Sequence, residues 1–385
     1  MRQRQIPCDL GADVRCLWRN PSATRHFQCA VSLHSHTMHS RERLDFIPRV
    51  MRKIGFVHTV FRLLESRYER RTGRHVAYER AFWQPPLSPQ AAYNLESDQI
   101  GNTLGLQPLV SITDHDELEA CRELRAIDIP TPYSLEWTVP YGATVFHLGV
   151  HNLPPDSAAL FHARMARYTA EPREALLRRL LAALDESRDV LVVLNHPLLN
   201  EERCDRASHV RSLMEFLASY GQYMHALELN GLQPASSNCE VARLSLETGI
   251  PVISGGDRHC LEPNANVNLT NAGSFAEFVY EIRREHLSRV LFLPQYRESI
   301  AARYIHFIWQ AVRTYPEMQS RERWVDRIFF EPYDEPGVIR PIASEWTNGG
   351  PAVVRGFISA IGFLAAPRMR GALRLAFGEQ GEVSA

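Results

Sequence analysis

The chain has 385 residues, 45% of them hydrophobic, and a formal net charge of −1 at pH 7. This size allows one large α/β domain with extensions, or two domains. The near-zero charge disfavours a protein that coats nucleic acid or binds membrane surfaces through overall charge. The seven cysteines form no C-x-x-C pair, no run reaches the ~18 apolar residues of a membrane span, and residues 1–20 lack a signal-peptide core. We therefore expect a cytoplasmic protein without a disulfide framework or structural zinc knuckle.

Seven short apolar runs predict β-strands, most of them separated by segments of helical periodicity. The runs cover residues 29–31, 109–112, 133–135, 144–146, 190–194, 226–227 and 251–253. Helices are predicted at residues 117–125, 172–187, 210–220, 238–247 and 275–285. Such alternation is typical of an α/β fold. Residues 1–26 are predicted to be an irregular leader, and the turn at residues 140–142 predicts that strands three and four are joined directly.

A long basic insertion is predicted after strand one. His115 follows His34 by 81 residues, whereas a βα unit needs only about 30 residues from strand to strand. We place the excess at residues 41–87, where the apolar residues Phe46, Val50, Ile54, Val57, Phe61 and Leu64 predict one amphipathic helix. Residues 41–80 hold eleven Arg or Lys against five Asp or Glu. This helix is predicted to be either a lid that attracts an anionic substrate or a solvated helix face.

The segment at residues 296–385 is predicted to be a mostly helical extension. Helices are expected at residues 300–314, 353–364 and 369–377, with a Pro- and Gly-rich loop at residues 331–350. The last two helices carry Arg355, Arg368, Arg370 and Arg374. Packing of these helices on the rest of the fold is the favoured interpretation, and binding to a membrane surface is the alternative.

Histidines and carboxylates follow the predicted strands, one small group after each apolar run. They are His34 and His36, Asp114 to Asp116, Glu136, His147, His196, Glu228, Asp257 and His259. In a barrel of parallel strands the carboxyl ends meet on one face, so these residues would share one pocket. Imidazoles and carboxylates that converge in one pocket are typical of a metal site.

The spacing of these residues suits metal chemistry. Residues i and i+2 of a strand point the same way, so His34 with His36, and Asp257 with His259, can face one ion. A carboxylate such as Glu136 can bridge two ions about 3.5–4 Å apart. Asp114 is suited to orient the neighbouring His115 imidazole through its other nitrogen.

In order along the chain, these groups resemble the motifs of the polymerase and histidinol phosphatase (PHP) superfamily. The matching motifs are His34-x-His36-Thr37, Ile112-Thr113-Asp114-His115-Asp116, Glu136, His147-Leu148-Gly149, Asn195-His196-Pro197, Glu228-Leu229-Asn230 and Asp257-Arg258-His259. The resemblance covers about residues 28–290. It implies a distorted seven-stranded (β/α)7 TIM-like barrel at residues 27–295, with the helical insertion after strand one and the C-terminal helical extension added to it.

The resemblance also implies a centre of two or three divalent ions, Zn, Mn or Fe. The first ion would be held by His34, His36, Glu136 and Asp257, the second by Glu136, His147 and His196, and the third by His115 and His259. The family usually supplies a further Asp or His where this chain has Arg41 and Glu42. Glu42 or His39 would replace that ligand; otherwise the third site is weak or empty. Glu228 is assigned a structural or supporting role.

The implied activity is hydrolysis of a phosphoester on a small anionic phosphorylated metabolite or nucleotide, by a hydroxide that bridges the ions. Arg41 and Arg43 are predicted to hold the phosphate and, with Asp114, to be the catalytic side chains, whereas Arg258 should point away from the ions. The alternatives are a nuclease acting on DNA ends, a catalytically silent metal-binding interaction domain, and a hydrolase of another bond. The near-neutral charge makes a nucleic-acid partner unlikely, and the sequence leaves the oligomeric state open.

Overall fold

The computed structural model describes residues 13–45, 47–48, 55–73, 75, 77–200, 204–380 and 383. These residues form a mixed α/β protein with three sheets, none of which closes into a barrel by its strand pairing. The strands are β1 (Asp13–Cys16), β2 (Cys29–Ser32), β3 (Glu42–Arg43), β4 (Ala81–Trp83), β5 (Gln107–Val110), β6 (Tyr133–Tyr141), β7 (Thr144–Leu153), β8 (Leu191–Asn195), β9 (Ala226–Asn230), β10 (Val252–Gly255), β11 (Asn266–Thr270), β12 (Arg289–Phe292), β13 (Ile328–Phe330) and β14 (Arg340–Pro341).

Helices lie between and after these strands. They are α1 (Gly55–Thr72), α2 (Pro89–Asp98), α3 (Glu119–Ala126), α4 (Pro155–Ala170), α5 (Glu174–Glu186), α6 (Arg206–Tyr220), α7 (Ala235–Thr248), α8 (Phe275–Arg284), α9 (Ile300–Val312), α10 (Ala352–Leu364) and α11 (Arg370–Phe377). The helix predicted for the insertion is present as α1. Phe46, Val50 and Ile54, on which that prediction partly rested, lie outside the described residues.

The first sheet has the order β1-β12-β11-β2-β5. Strands β2 and β5 are parallel, as predicted, and β11 is antiparallel to both of its neighbours. The leader was predicted to be irregular, which is wrong for Asp13–Cys16, because these residues pair with β12. Strand β11 was not predicted because its buried side chains alternate between apolar residues and Asn266, Asn268 and Thr270, so it has no apolar run.

The second sheet has the order β10-β9-β8-β7-β6. Strands β8, β9 and β10 are parallel. The prediction of one common strand direction is wrong for β7, which is antiparallel to both β6 and β8. The direct connection of β6 to β7 is confirmed as a hairpin with Gly142 at φ 58°. His147 therefore lies near the start of β7, opposite Asn195 at the end of β8.

Isolated bridges link the ends of the first two sheets. Ser35 pairs with Arg258 just beyond β2 and β10, and His115 pairs with Glu136 between the end of β5 and β6. The His36 amide donates to the Arg258 carbonyl at 2.8 Å. These contacts bring the segments that follow β2, β5 and β10 into one region with the middle of β6.

The third sheet has the order β14-β13-β4-β3 and is antiparallel throughout. Two of its strands belong to the predicted insertion and two to the predicted C-terminal extension. Segments almost 250 residues apart in sequence, such as Trp83 and Ile328, therefore pair directly.

Helices cover the second sheet through apolar stripes. In α5 the residues Leu177, Leu180, Leu181 and Leu184 are all buried, at the i, i+3, i+4, i+7 spacing of an amphipathic helix. Burial of each such side chain stabilises the folded state by roughly 1.5–3 kcal/mol. This packing holds in place the sheet that carries part of the polar cluster described below.

The C-terminal helices α9, α10 and α11 follow β12. Among the described residues, no single helix has the length and apolar character needed to cross a membrane. The pair Ala352–Leu364 and Pro367–Phe377, bent by 65°, meets that test of length and composition only when the two are taken together.

Candidate metal centre

A single buried carboxylate, that of Glu136 on β6, lies at the centre of a group of histidines. Its Oε1 atom lies 3.1 Å from Nε2 of His34 and of His196, and 3.5 Å from Nδ1 of His147. Its Oε2 atom lies 3.4 Å from Nε2 of His36 and 3.3 Å from Nδ1 of His115. Each oxygen thus faces a different set of imidazoles, which is the arrangement of a carboxylate able to bridge two cations.

Left-handed backbone conformations place several of these groups at the ends of their strands. His34, His196 and Asp257 have φ values of 63°, 27° and 55°. Positive φ costs a non-glycine residue on the order of 1–2 kcal/mol, and such conformations persist where surrounding contacts fix them. Strain of this kind is concentrated at functional sites, and here it occurs at three of the predicted ligands.

The first predicted set of ligands is brought together. Asp257 Oδ1 lies 3.6 Å from Nε2 of both His34 and His36. With metal–ligand bonds of about 2.1 Å, ligand atoms of a tetrahedral site lie about 3.4 Å apart. Among the described side chains, His34 Nε2, His36 Nε2 and Glu136 Oε2 are buried without a hydrogen-bond partner. Unpaired buried nitrogen and oxygen atoms at this separation fit a divalent cation.

A second set surrounds Glu42 on β3. Its Oε2 atom lies 3.3 Å from His115 Nε2 and 3.1 Å from His259 Nε2. The other candidate for this place, His39, lies instead 2.9 Å from Glu123 Oε1. The structure therefore brings Glu42, and not His39, to His115 and His259.

A third set combines Glu136 with His115, which follows β5 of the first sheet, and with histidines of the second sheet. His115, Glu136 and His147 each offer a ligand atom within 4.8 Å of the others. His196 joins them through its contact with Glu136 Oε1. All nine predicted ligands are thus in one continuous cluster: His34, His36, Glu42, His115, Glu136, His147, His196, Asp257 and His259.

Glu228 supports this cluster from behind. Its Oε1 atom lies 2.5 Å from Nδ1 of His34, the nitrogen that faces away from Glu136, and its Oε2 atom accepts from the His196 amide at 2.7 Å. A Cβ atom at Gly255 would lie 1.6 Å from Glu228 Oε1, so this close approach requires glycine. A carboxylate on the distal nitrogen orients a ligating imidazole and raises its basicity, which agrees with the supporting role predicted for Glu228.

Asp114 has a different role from the one predicted. Its two carboxylate oxygens accept from the amide and the hydroxyl of Thr37, at 2.5 and 2.6 Å. These contacts fix the turn after His36 rather than the ring of His115. Burial raises the pKa of Asp114 to about 6, against the opposing effect of the Thr37 hydrogen bonds.

The asparagines next to the ligands were not predicted to act at the site. Asn195 donates to Glu136 Oε1 at 3.0 Å, and Asn230 donates to Glu228 Oε2 at 3.0 Å and to Asp257 Oδ2 at 3.3 Å. Asn195 and Asn230 both lie in the motifs that resemble those of the family. Their sequence positions beside a predicted site residue could therefore have indicated this role. Neutral amides orient the carboxylates without changing the charge of the site.

The cluster is strongly anionic unless it binds protons or cations. Burial alone would raise the pKa of Glu136, but His34, His115 and His147 hold it well below the usual value. Burial disfavours the charged form of His34 as well, yet the carboxylates of Glu136, Glu228 and Asp257 raise its pKa well above normal. Burial and the charge of His259 lower the pKa of His36 to about 3. In the described part of the chain the ion-pair partners of Glu42 and Glu136 are histidines, so charge balance there requires protons or bound cations.

Arg41 and Arg43 are not brought to this cluster. Glu42 and Trp83 are directly opposite across β3 and β4 and hence share a face of the third sheet. Arg43 is opposite Phe82 on the other face, and the Arg41 guanidinium lies 5.2 Å from the Phe82 ring centroid. The structure therefore gives no support to the prediction that these arginines hold a phosphate. Successive residues of a strand point to opposite faces. Because Glu42 points towards the cluster, its neighbours Arg41 and Arg43 point away from it.

Arg258 also points away from the cluster, as predicted. It is buried, and its Nε atom donates to Glu96 Oε1 at 2.8 Å. Burial raises the pKa of Glu96, while Arg258 opposes that effect.

Aromatic residues adjoin one side of the cluster and were not anticipated. The ring centroids of Trp83 and Phe307 lie 6.3 and 6.0 Å from that of His259. Tyr304 lies one turn before Phe307 on α9 and is 42% exposed. No sequence signal connected β4 and α9 to His259, because both lie far from it along the chain.

No family model matches the chain, and no curated protein matches it either. Several solved structures resemble it in part, including the following two. A protein from Bifidobacterium adolescentis described as a metal-dependent phosphoesterase is 14% identical, with a TM-score of 0.32, over 51% of this chain and 92% of that one. An amidohydrolase from Chromobacterium violaceum with bound sulfate and no metal is 16% identical, with a TM-score of 0.30, over 46% of this chain and 83% of that one. Neither likeness is close enough to show a family.

Proposed function

We propose that this chain is a metal-dependent hydrolase of phosphate esters that uses two or three divalent cations. The observation that supports it most strongly is that five histidines lie within 3.5 Å of the buried Glu136 carboxylate, three around Oε1 and two around Oε2. Nitrogen and carboxylate oxygen ligands of this kind suit Zn²⁺, Mn²⁺ or Fe²⁺.

We also propose that the strands around the site form the predicted distorted barrel of seven strands. The order of its strands would be β2-β5-β6-β7-β8-β9-β10. The His115–Glu136 bridge would join β5 to β6, and the Ser35–Arg258 bridge would join β10 back to β2. A ring closed at these points would place all the ligand-bearing segments at one mouth of the barrel.

Three overlapping ligand sets are assigned. His34, His36, Glu136 and Asp257 would hold one ion; Glu136, His147 and His196 would hold a second; and Glu42, His115 and His259 would hold a third. When bound, such ions polarise a phosphoryl oxygen and make a water molecule nucleophilic at neutral pH.

The side chains of the protein orient and shield this centre. Glu228 fixes the ring of His34, and Ser40 fixes Glu42 by donating to its Oε1 atom at 2.6 Å. The Glu136 side chain is 0% exposed, whereas those of Glu42 and His115 are each 16% exposed. A substrate would therefore approach from the side of Glu42 and His115, while bulk water is kept from the Glu136 side.

The proposal is tested with purified protein reconstituted with Mn²⁺ or Zn²⁺. Phosphate release from p-nitrophenyl phosphate and a nucleotide panel is the expected result. Asp257→Ala and His196→Ala should each lose metal by elemental analysis and abolish turnover while the far-UV circular dichroism spectrum is retained. Glu123→Gln is the control, since its exposed carboxylate lies outside the cluster and faces His39.

Other outcomes separate the alternatives. Shortening of labelled single-stranded DNA without phosphate release from small esters would identify a nuclease. Bound metal without turnover of either substrate class would identify a silent metal-binding domain. Full activity in Asp257→Ala or His196→Ala would contradict the assigned centre.

A further inference from the structure

The accessible side of the proposed centre lies next to an aromatic surface, which we call the aromatic wall and define as Trp83, Tyr304 and Phe307. The His259 side chain is 12% exposed and that of Glu42 is 16% exposed, compared with 0–1% for His34, His36 and Glu136. A substrate that reaches the centre from solvent thus arrives beside Glu42 and the two histidines that contact it, His115 and His259.

The three rings belong to elements outside the seven central strands. Trp83 ends β4, and its Cα position is opposite both Glu42 on β3 and Ile328 on β13. Trp83 and Glu42 therefore project from the same face of the third sheet. Tyr304 and Phe307 are three residues apart on α9, so they lie on one side of that helix.

Two of the rings, Trp83 and Phe307, are packed against His259 and against each other. Trp83 is inclined by 24° to the His259 ring, and Phe307 meets the Trp83 ring edge to face at 6.1 Å and the His259 ring at 87°. Trp83 is only 8% exposed and so is largely occupied by this packing, whereas Tyr304 is 42% exposed. The free aromatic surface is therefore on the α9 side of the wall.

The closed space beside the wall is too small for an organic group. The cleft lined by His259, Arg303 and Phe307 has a volume of about 20 Å³, which is close to the space of one water molecule. An organic group attached to a phosphate at the centre would then have to lie outside this cleft.

We infer that the aromatic wall binds the organic group of the substrate, and that the preferred substrates are phosphate esters whose organic group carries a flat ring, such as aryl or nucleoside phosphates. This inference rests on the proposed function, because it assumes that the phosphate binds at the metal centre. Flat rings stack or meet edge to face with aromatic side chains, whereas a short alkyl group gains little from such a surface.

Binding of non-hydrolysable ligands tests the inference without any need for turnover. Calorimetry on metal-loaded protein would compare phenylphosphonate with methylphosphonate. We expect phenylphosphonate to bind at least about tenfold more tightly. Tyr304→Ala and Phe307→Ala should each reduce that ratio by about three- to tenfold, the range expected for loss of one aromatic contact. The matched control is Tyr280→Ala, which removes an exposed tyrosine from α8.

The outcomes are distinguishable. Equal affinity for the two phosphonates, or a ratio unchanged in both variants, would overturn the inference. So would a loss of metal content in the variants with an unchanged ratio, because the rings would then only position His259. Failure of the wild-type protein to hydrolyse any ester, with the phosphonate preference intact and dependent on the wall, would overturn the proposed function alone.

Discussion

At the scale of single residues, Glu228 lies behind two of the proposed ligands and would orient them without being a ligand itself. It faces Nδ1 of His34 and accepts the His196 amide, so it connects two neighbouring ligands. We expect Glu228→Gln to retain the fold and to weaken divalent metal affinity by about 10–100-fold, the range typical of residues behind metal ligands. Competition with a chelating dye measures this affinity. An unchanged affinity would show that the carboxylate is only structural.

Glu42 and His39 give a second test at this scale. Both follow His36 closely, but only Glu42 contacts His115 and His259. Glu42→Ala should therefore bind one ion fewer per chain than the wild-type protein by elemental analysis. His39→Ala is the matched control and should bind the full number. Equal metal content in the two variants would remove Glu42 from the proposed centre.

The convergence of the proposed ligand residues could be predicted, because all of them except Glu42 lie in a short motif next to a predicted strand. His34 with His36 and Asp257 with His259 are such pairs: both histidines of the first pair face Glu136, and Asp257 faces both of them. The roles of Asp114 and Arg41 could not be predicted in the same way. They depend on contacts with Thr37 and Phe82, which are set by the tertiary fold and not by local spacing.

At the scale of secondary-structure elements, the third sheet connects the C-terminal extension to the proposed centre. Strand β13 pairs with β4, and β4 pairs with β3, which carries Glu42. The Phe82 and Phe329 rings stack at 5.4 Å with an interplanar angle of 14°. The position of Glu42 thus depends on residues almost 300 positions later in the chain.

Phe329→Ala should weaken this connection. Loss of the ring pair costs about 1 kcal/mol, and we expect the ion assigned to Glu42 to bind about fivefold more weakly while the ions at Glu136 are retained. Stepwise metal titration would resolve the two classes of site. Phe357→Ala, which removes an exposed ring from α10, is the control. An identical titration for Phe329→Ala and the wild-type protein would contradict the coupling.

His225, which directly precedes β9 and has a side chain that is only 7% exposed, predicts a pH dependence of stability. His225 accepts the Val192 amide at Nδ1 and its Nε2 atom lies 2.9 Å from Asp185 Oδ1. Burial lowers the pKa of His225 to about 4, so the native state favours the neutral ring. Its contribution to stability is then present above about pH 6.5 and is lost as the pH falls towards 4.

The size of this contribution is on the order of 3 kcal/mol. His225→Gln removes the titrating group, so its free energy of unfolding should fall less between pH 6.5 and 4 than that of the wild-type protein. Urea denaturation at several pH values measures the difference. Parallel losses in the two proteins would show that His225 does not contribute.

Elements with strong apolar periodicity were predictable, whereas those without it were not. Helix α5 and strands β8 and β10 have apolar runs that are buried as expected. Strand β11 was missed because its buried asparagines bond to neighbouring strands, as Asn268 does with the Ser254 amide at 3.1 Å. The reversed direction of β7 was missed because a strand's apolar pattern does not encode its direction.

At the scale of the whole molecule, the cluster forms where segments from two sheets and the third sheet's edge meet. The Ser35–Arg258 and His115–Glu136 bridges join the first two sheets, and Glu42 enters from the third. The resemblance in the sequence predicted that these segments converge. It did not predict the third sheet, whose pairing joins an insertion to a distant extension.

Anomalous diffraction from crystals grown with Mn²⁺ or Zn²⁺, recorded at the absorption edge of that metal, tests the central claim most directly. The account predicts at least two peaks, both in contact with Glu136, one on the side of His34 and His36 and one on the side of His147 and His196. A further peak is expected beside Glu42. Metal-replete crystals with no anomalous peak in contact with Glu136 would contradict the account.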